Sequence, residues 1–242
     1  MKKQYYFYLY SCCLILLILL LVIIITKPRT KGCIDGNNQK RSGIALFDKT
    51  VQSFKAVPYT FNVLIATVGR PTLQAMLDSL CGELVKEDCL TIVFDGHTTI
   101  PLFDVSKFKC KVIQFYEPVA LGYWGHAIQN KYTPLLEKRD FVMYADDDDV
   151  YIKNSFNNLR KLIKKPDVLY IAKMIYKDGR LIPRIPTIEI ANIGTPSGII
   201  PYDLAPRGTF GYTYVGDGEY YIQISKLAPV EFLDLVIYKI RP

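Results

Sequence analysis

Phe141-Val142-Met143-Tyr144-Ala145-Asp146-Asp147-Asp148-Asp149-Val150-Tyr151 runs five apolar, strand-forming residues directly into four consecutive carboxylates. Like charges at this spacing repel, and each resists ionisation unless something positive lies among them. Mg²⁺ and Mn²⁺ favour hard oxygen ligands and leave room for substrate phosphates, so a divalent cation relieves the repulsion. A solvated acidic loop is the plain alternative. The position decides against it, because open α/β sheets bind ligands at the carboxyl ends of their strands.

Other strands and helices follow the same logic. Phe61–Ala66 is a short, nearly continuous apolar run of the kind a buried parallel strand shows. Thr67-Val68-Gly69-Arg70-Pro71 breaks it, and Leu73, Met76, Leu77 and Leu80 then recur at helical spacing. Leu90–Phe94, stopped by Asp95-Gly96, reads as a second strand, and Lys111–Phe115 as a third. A helix is expected over Gly125–Tyr132. After the acidic run, Asn154 or Ser155 is expected to cap a helix with Phe156, Leu159, Leu162 and Ile163 on its inner face. Val168–Ala172 is a further strand. Alternating strands and helices predict an α/β fold, a mostly parallel sheet flanked by helices.

The formal charge of +7 is local. Residues 1–31 hold five of the 30 Lys and Arg and no acid, leaving 25 basic against 23 acidic side chains. That basic excess flanks the apolar run Tyr5–Thr26, which argues against nucleic acid as a partner. At the helical rise those residues span roughly 33 Å, enough for a bilayer. Ile23-Ile24-Ile25-Thr26-Lys27-Pro28 offers no small-residue cleavage site, so an uncleaved signal-anchor is expected. The organisation is then a short tail (1–4), a transmembrane helix (5–26), a stem (27–57) and a folded domain (58–242). Orientation stays open, since basic residues flank both ends of the span. No Asn-x-Ser/Thr acceptor occurs, and the six cysteines form no CxxC pair, so a zinc site is not expected. Cys81 and Cys89 are read either as a bridge or as ordinary buried thiols.

Val63-Leu64-Ile65-Ala66-Thr67-Val68-Gly69-Arg70-Pro71, Ile92-Val93-Phe94-Asp95-Gly96 and Tyr144-Ala145-Asp146-Asp147-Asp148-Asp149 resemble the ordered landmarks of GT-A glycosyltransferases, most nearly inverting family 2. Gly216–Ile224 and Phe232–Arg241 are similar to that family's late acidic helix start and following strand. The resemblance spans about residues 59–242. It implies a Rossmann-like GT-A domain that moves a sugar from a nucleotide-diphosphate donor to an acceptor hydroxyl with Mn²⁺ or Mg²⁺. Carried over, Thr67 and Arg70 line the nucleotide pocket and Asp95 receives the base. Asp146 and Asp148 match Asp-x-Asp, while Asp147 and Asp148 match the variant with adjacent acids. All three are candidate metal ligands, and Asp146 and Asp147 also candidate donor contacts. Asp217 stands at the catalytic-base position, with Glu219 as the alternative because the motif here is Gly216-Asp217 rather than Glu-Asp.

The resemblance further implies a glycan, glycoprotein or glycolipid acceptor, and the apolar run Tyr5–Thr26 makes a single-pass membrane protein the expectation. A Golgi- or ER-type lumenal domain is favoured in a eukaryotic cell, with a cytoplasmic face left open. Trp124, between glycines, is read as a sugar-stacking platform or as core. His126 is read as a helix-start hydrogen-bonding residue, and Tyr212 and Tyr214 as core or acceptor stacking. Two other function classes remain: a non-catalytic, membrane-tethered nucleotide-sugar or glycan-binding protein, and a sugar-1-phosphate nucleotidyltransferase. The second needs a Gly-rich phosphate loop, and Thr67–Pro71 supplies one glycine. A Ca²⁺-binding structural loop is a third reading, against which the acidic run lacks the Asp-x-Asp-x-Asp-Gly spacing and the distal Glu.

Overall fold

In the computed structural model, residues 58–242 are described. The expected span Tyr5–Thr26 and stem 27–57 lie outside them. Among the described residues no helix is long and apolar enough to cross a membrane.

Four strands form the parallel half of one sheet: β1 (Phe61–Thr67), β2 (Cys89–Asp95), β3 (Lys111–Glu117) and β4 (Phe141–Asp146). β1 lies between β2 and β4 and β3 takes the edge, all in parallel register. The continuous apolar runs arise because both faces are covered. Phe61, Val63 and Ile65 enter one core, with Phe141, Met143 and Ala145 of β4 beside them. Leu64, Val142 and Tyr144 enter the core on the other face.

The remaining strands are β5 (Val150–Tyr151), β6 (Leu169–Tyr176), β7 (Leu181–Ile182), β8 (Gly198–Pro201) and β9 (Val230–Ile240). The nine-stranded order is β3-β2-β1-β4-β8-β6-β9-β5, with β7 on β6. β8 enters antiparallel between β4 and β6, but the antiparallel ladders are two residue pairs each, while β6 and β9 pair in parallel along most of β6. The sheet is therefore mixed and mainly parallel by length.

Helices cover both faces. α1 (Leu73–Cys81) buries Leu73, Met76, Leu77 and Leu80, the stripe expected from their spacing, and packs with α3 (Ser155–Leu162) in the first core. α2 (His126–Tyr132) and α4 (Gly216–Ile224) share the second core through Ile128, Tyr132, Tyr220, Tyr221 and Ile224. Two details of α3 correct the expectation. Leu162 is 41% exposed, because the helix ends there and Ile163 takes the inner place. Neither Asn154 nor Ser155 caps the helix with its side chain. Asn154 has φ +69°, and the Glu83 carboxylate, from beyond α1, accepts the Asn154 amide at 2.6 Å and the Phe156 amide at 3.0 Å. Cys81, Cys89 and Cys110 are free thiols, and burial pushes Cys110 up to about 11, so it is inert at neutral pH.

One buried ion pair locks this half together. Asp88, fully buried, accepts the Phe61 amide at 2.9 Å, the Val85 amide at 2.7 Å and the guanidinium of Arg160. Arg160, from α3, also lies over the Phe61 ring, 4.9 Å from its centroid. Removing one partner strands a buried charge. Asp88→Ala is expected to destabilise by about 3–5 kcal/mol, read as a lowered urea midpoint at unchanged slope.

Candidate active site

The carboxyl ends of β1, β2 and β4 open onto a cleft of about 990 Å³. Thr67, Arg70, Asp95, Trp124, Asp146, Asp147, Asp148 and Asp217 all line it, so the residues singled out from sequence converge on one site. Glu219 does not line it. A Cβ on Gly211 would meet Glu219 Oε2 at 1.7 Å, so that carboxylate lies against Gly211.

At the exit of β1, Thr67 Oγ1 accepts the Gly69 amide at 2.8 Å, folding the chain through Gly69 at φ +75° into α1. The same hydroxyl donates to Asp147 Oδ2 at 2.6 Å, and Arg70 Nη1 donates to Asp147 Oδ1 at 2.6 Å. Asp147 is 3% exposed, and both its carboxylate oxygens are engaged by Thr67 and Arg70. It is the clasp between the β1 and β4 exits. His97 Nε2 meets the Val68 carbonyl at 2.9 Å and buttresses the same turn.

The other three aspartates differ in environment. Asp149 is buried, accepts the Arg241 amide at 2.8 Å, and is pushed up to about 6 by that burial. Asp146 is held at its backbone by Tyr238: the Asp146 amide donates to Tyr238 Oη at 2.9 Å. Its carboxyl is raised well above the usual range, first by burial and then by Asp149, Asp148, Asp217 and Asp147. Asp148, 31% exposed, stands between Arg70 Nη1 at 3.9 Å and Arg241 Nε at 3.7 Å. Arg241 was not anticipated. Only its place one residue beyond β9 carries a signal, since β9 pairs with β5 just after the acidic run.

Asp217 opens α4 in the opposite chain segment. Its carboxylate accepts the Gly218 amide at 2.7 Å and a bond from the Thr195 amide. Burial outweighs both and raises it to about 6. Gly194–Gly198 is a mostly buried turn behind it: Tyr221 Oη donates to the Thr195 carbonyl at 2.6 Å. Among the described residues no basic side chain pairs with Asp146 or Asp217.

Asp95 is 6% exposed, and its carboxylate accepts the Leu121 amide at 2.7 Å and the Gly122 amide at 2.8 Å. It therefore anchors the Leu121–Gly125 loop, which competes with the expected contact to a base. His126, at the start of α2, meets the Gly211 carbonyl at 2.8 Å and stacks on Phe210, with its pKa lowered by burial. That is the structural role read from sequence.

A divalent cation fits the donor chemistry. Asp146 and Asp148 are hard oxygen donors, of which Asp146 has no basic partner among the described residues, and Mg²⁺ sites take one or two carboxylates with the rest from phosphate and water. Among the described residues no three His, Cys, Asp or Glu groups converge on one ion position, consistent with Asp147 being diverted to Arg70.

This arrangement of sheet, helices and cleft is the GT-A fold. The solved structure of S. aureus TarS 1-349 shares it with a TM-score of 0.59 at 20% identity, over 75% of this chain and 60% of that one. The same TarS fragment in complex with UDP gives 0.57 at 20% identity over 74% and 60%. In complex with UDP-GlcNAc it gives 0.53 at 19% over 74% and 58%. The chain thus spans about 60% of that fragment, and 37% of the longer TarS structure. No family model matches the chain, and no curated protein matches it in sequence.

A carboxyl whose folded pKa is raised adds stability that is full below its unfolded pKa and is lost as pH rises through the folded value. Asp149 and Asp217, both raised to about 6, and Asp146, raised further, therefore act together. His126, lowered, acts in the opposite sense, one imidazole against three carboxyls. Without divalent ions, the melting temperature is expected to fall as pH rises from about 5 to 7. The doubly substituted Asp149→Asn, Asp217→Asn chain should show a flatter profile by calorimetry.

Proposed function

We propose that the chain is a glycosyltransferase that moves a sugar from a nucleoside-diphosphate donor to an acceptor hydroxyl with inversion. The observation that carries this reading is Asp217, an unpaired, raised carboxylate sharing one cleft with the Asp146–Asp148 corner and its flanking arginines. The fold likeness to a protein solved with UDP and with UDP-GlcNAc supports the donor class.

In this reading the exposed guanidiniums of Arg70 and Arg241 face the donor diphosphate and stabilise charge as the bond from sugar C1 to oxygen breaks. Thr67 and Asp147 fix Arg70, and Asp149 fixes Arg241 through its amide. Mn²⁺ or Mg²⁺, held by Asp148 with Asp146, would add positive charge against the same phosphates. Asp217, on the acceptor side, takes the proton of the attacking hydroxyl; attack opposite the leaving diphosphate inverts C1. The Gly218 and Thr195 amides hold the carboxylate in the orientation that receives it. Residues 5–26 would tether the domain to a membrane carrying or facing a glycan, glycoprotein or glycolipid acceptor.

Asp217→Asn in the full chain is expected to lower transfer by about 10²- to 10⁴-fold while donor affinity, by titration, stays within about twofold. Loss of donor binding in that variant would remove Asp217 from the base role. With wild type, kcat/KM should rise with pH through a midpoint of about 6, because only the ionised carboxylate accepts a proton. Donor binding with no transfer or hydrolysis at any pH would instead identify a non-catalytic binding protein.

A further inference from the structure

Residues 122–125 have consecutive positive φ values: Gly122 +73°, Tyr123 +57°, Trp124 +54° and Gly125 +86°. Glycine tolerates this region, but bulky aromatic residues do so only under strain, of order 1–3 kcal/mol each. Contacts at both ends hold the loop. Asp95 holds the Leu121 and Gly122 amides, and a Cβ on Gly125 would meet Ala66 Cβ at 2.9 Å.

The strained loop presents its rings to solvent. Trp124 is 63% exposed, Tyr123 50%, Tyr212 55% and Tyr214 77%, although two cores lie nearby to receive them. Tyr123 and Tyr212 stack at 4.5 Å and 16°, and Trp124 meets Tyr214 edge-on at 5.9 Å and 78°. The two segments are tied beneath these rings. Asn130 Nδ2 donates to the Phe210 carbonyl at 2.9 Å, and the Phe210 amide donates to Asn130 Oδ1 at 2.8 Å. An aromatic rim is thus held rigid before any ligand arrives, which lowers the ordering cost of binding.

We propose that Trp124 and Tyr214, backed by Tyr123 and Tyr212, form a stacking subsite for the acceptor, and that the acceptor there is a neutral pyranose. This rests on reading the cleft as a glycosyl-transfer site. Trp124 and Tyr214 line that cleft, and Tyr214 is three residues before Asp217, so a sugar on the rim lies beside the proton acceptor. The C–H face of a pyranose carries slight positive charge that complements the negative face of an aromatic ring. Segments 121–126 and 210–217 contain no Lys or Arg, and Asp217 repels anions. A phosphate-bearing acceptor therefore has no counter-charge on these segments.

Trp124 is the only tryptophan of the chain and reports on its own subsite. The full chain in detergent is titrated with methyl glucoside, galactoside, mannoside, xyloside and N-acetylglucosaminide, with and without UDP, to on the order of 100 mM because single-sugar contacts are weak. Glycerol 3-phosphate serves as the anionic comparison. At least one methyl pyranoside is expected to shift Trp124 emission to shorter wavelength in a saturable way. Tyr214→Ala and Tyr212→Ala should raise its apparent Kd about tenfold. The proposal is overturned if no pyranoside shifts the emission, if glycerol 3-phosphate alone does, or if both variants bind like wild type. UDP binding, followed separately by melting temperature, distinguishes the failures. UDP stabilisation without a pyranoside response sinks the acceptor subsite alone, whereas a pyranoside response without UDP stabilisation sinks the transferase reading and leaves a carbohydrate site.

Discussion

The clasp of Asp147 by Thr67 and Arg70 is the contact on which the cleft depends. β1 and β4 are neighbouring parallel strands, and their exits would diverge if each chain end simply entered solvent. Two bonds of 2.6 Å, one of them charge-assisted, instead tie the turn into α1 to the acidic corner. The same clasp fixes where the neighbouring carboxylates stand. With Asp147 turned into Thr67 and Arg70, Asp148 stands between the guanidiniums of Arg70 and Arg241, and Asp146 has no basic partner among the described residues. Arg70 is half-exposed, so part of its guanidinium remains free for an anion while its position is set by a buried partner.

Several elements were legible because local pattern and tertiary burial agree. Phe61–Ala66, Leu90–Phe94 and Phe141–Ala145 read as buried strands since each is covered on both faces and has no polar alternation to confuse it. The α1 stripe was equally clear, because Leu73, Met76, Leu77 and Leu80 satisfy one helical face. What escaped depends on distant partners. Asn154 looks like a cap, yet the amides it would serve belong to Glu83, 71 residues earlier for Asn154 itself. Leu162 fits the helical stripe, but the chain turns at Ile163 and changes which side chain faces inward. Within four identical aspartates, no pattern distinguishes the one that bonds Thr67 from the one that faces solvent. Arg241 is invisible without β9 lying next to β5.

The cleft concentrates what folding opposes. Asp146, Asp149 and Asp217 are held where burial disfavours their charge, and the aromatic loop sits in left-handed backbone. Each costs stability, and the relief is partial: at Asp149 it comes from the amide and the charge of Arg241 and from Tyr238. The offsetting terms lie elsewhere, in the two apolar cores.

That separation constrains how the site can change. The rigid clamps of the cleft (Asp147 on Arg70, Asp95 on the loop amides, Asn130 on Phe210) all use buried or half-buried partners whose loss would free a strained or charged group. The groups left to meet a ligand are held more loosely: Asp148 is part-exposed between the guanidiniums of Arg70 and Arg241, and Arg241, Trp124 and Tyr214 are largely exposed. Side chains of the second kind can vary without unfolding the domain, whereas those of the first cannot. The fold therefore fixes a corner for negative and positive charge to meet, and leaves the choice of ligand to residues that the core does not need.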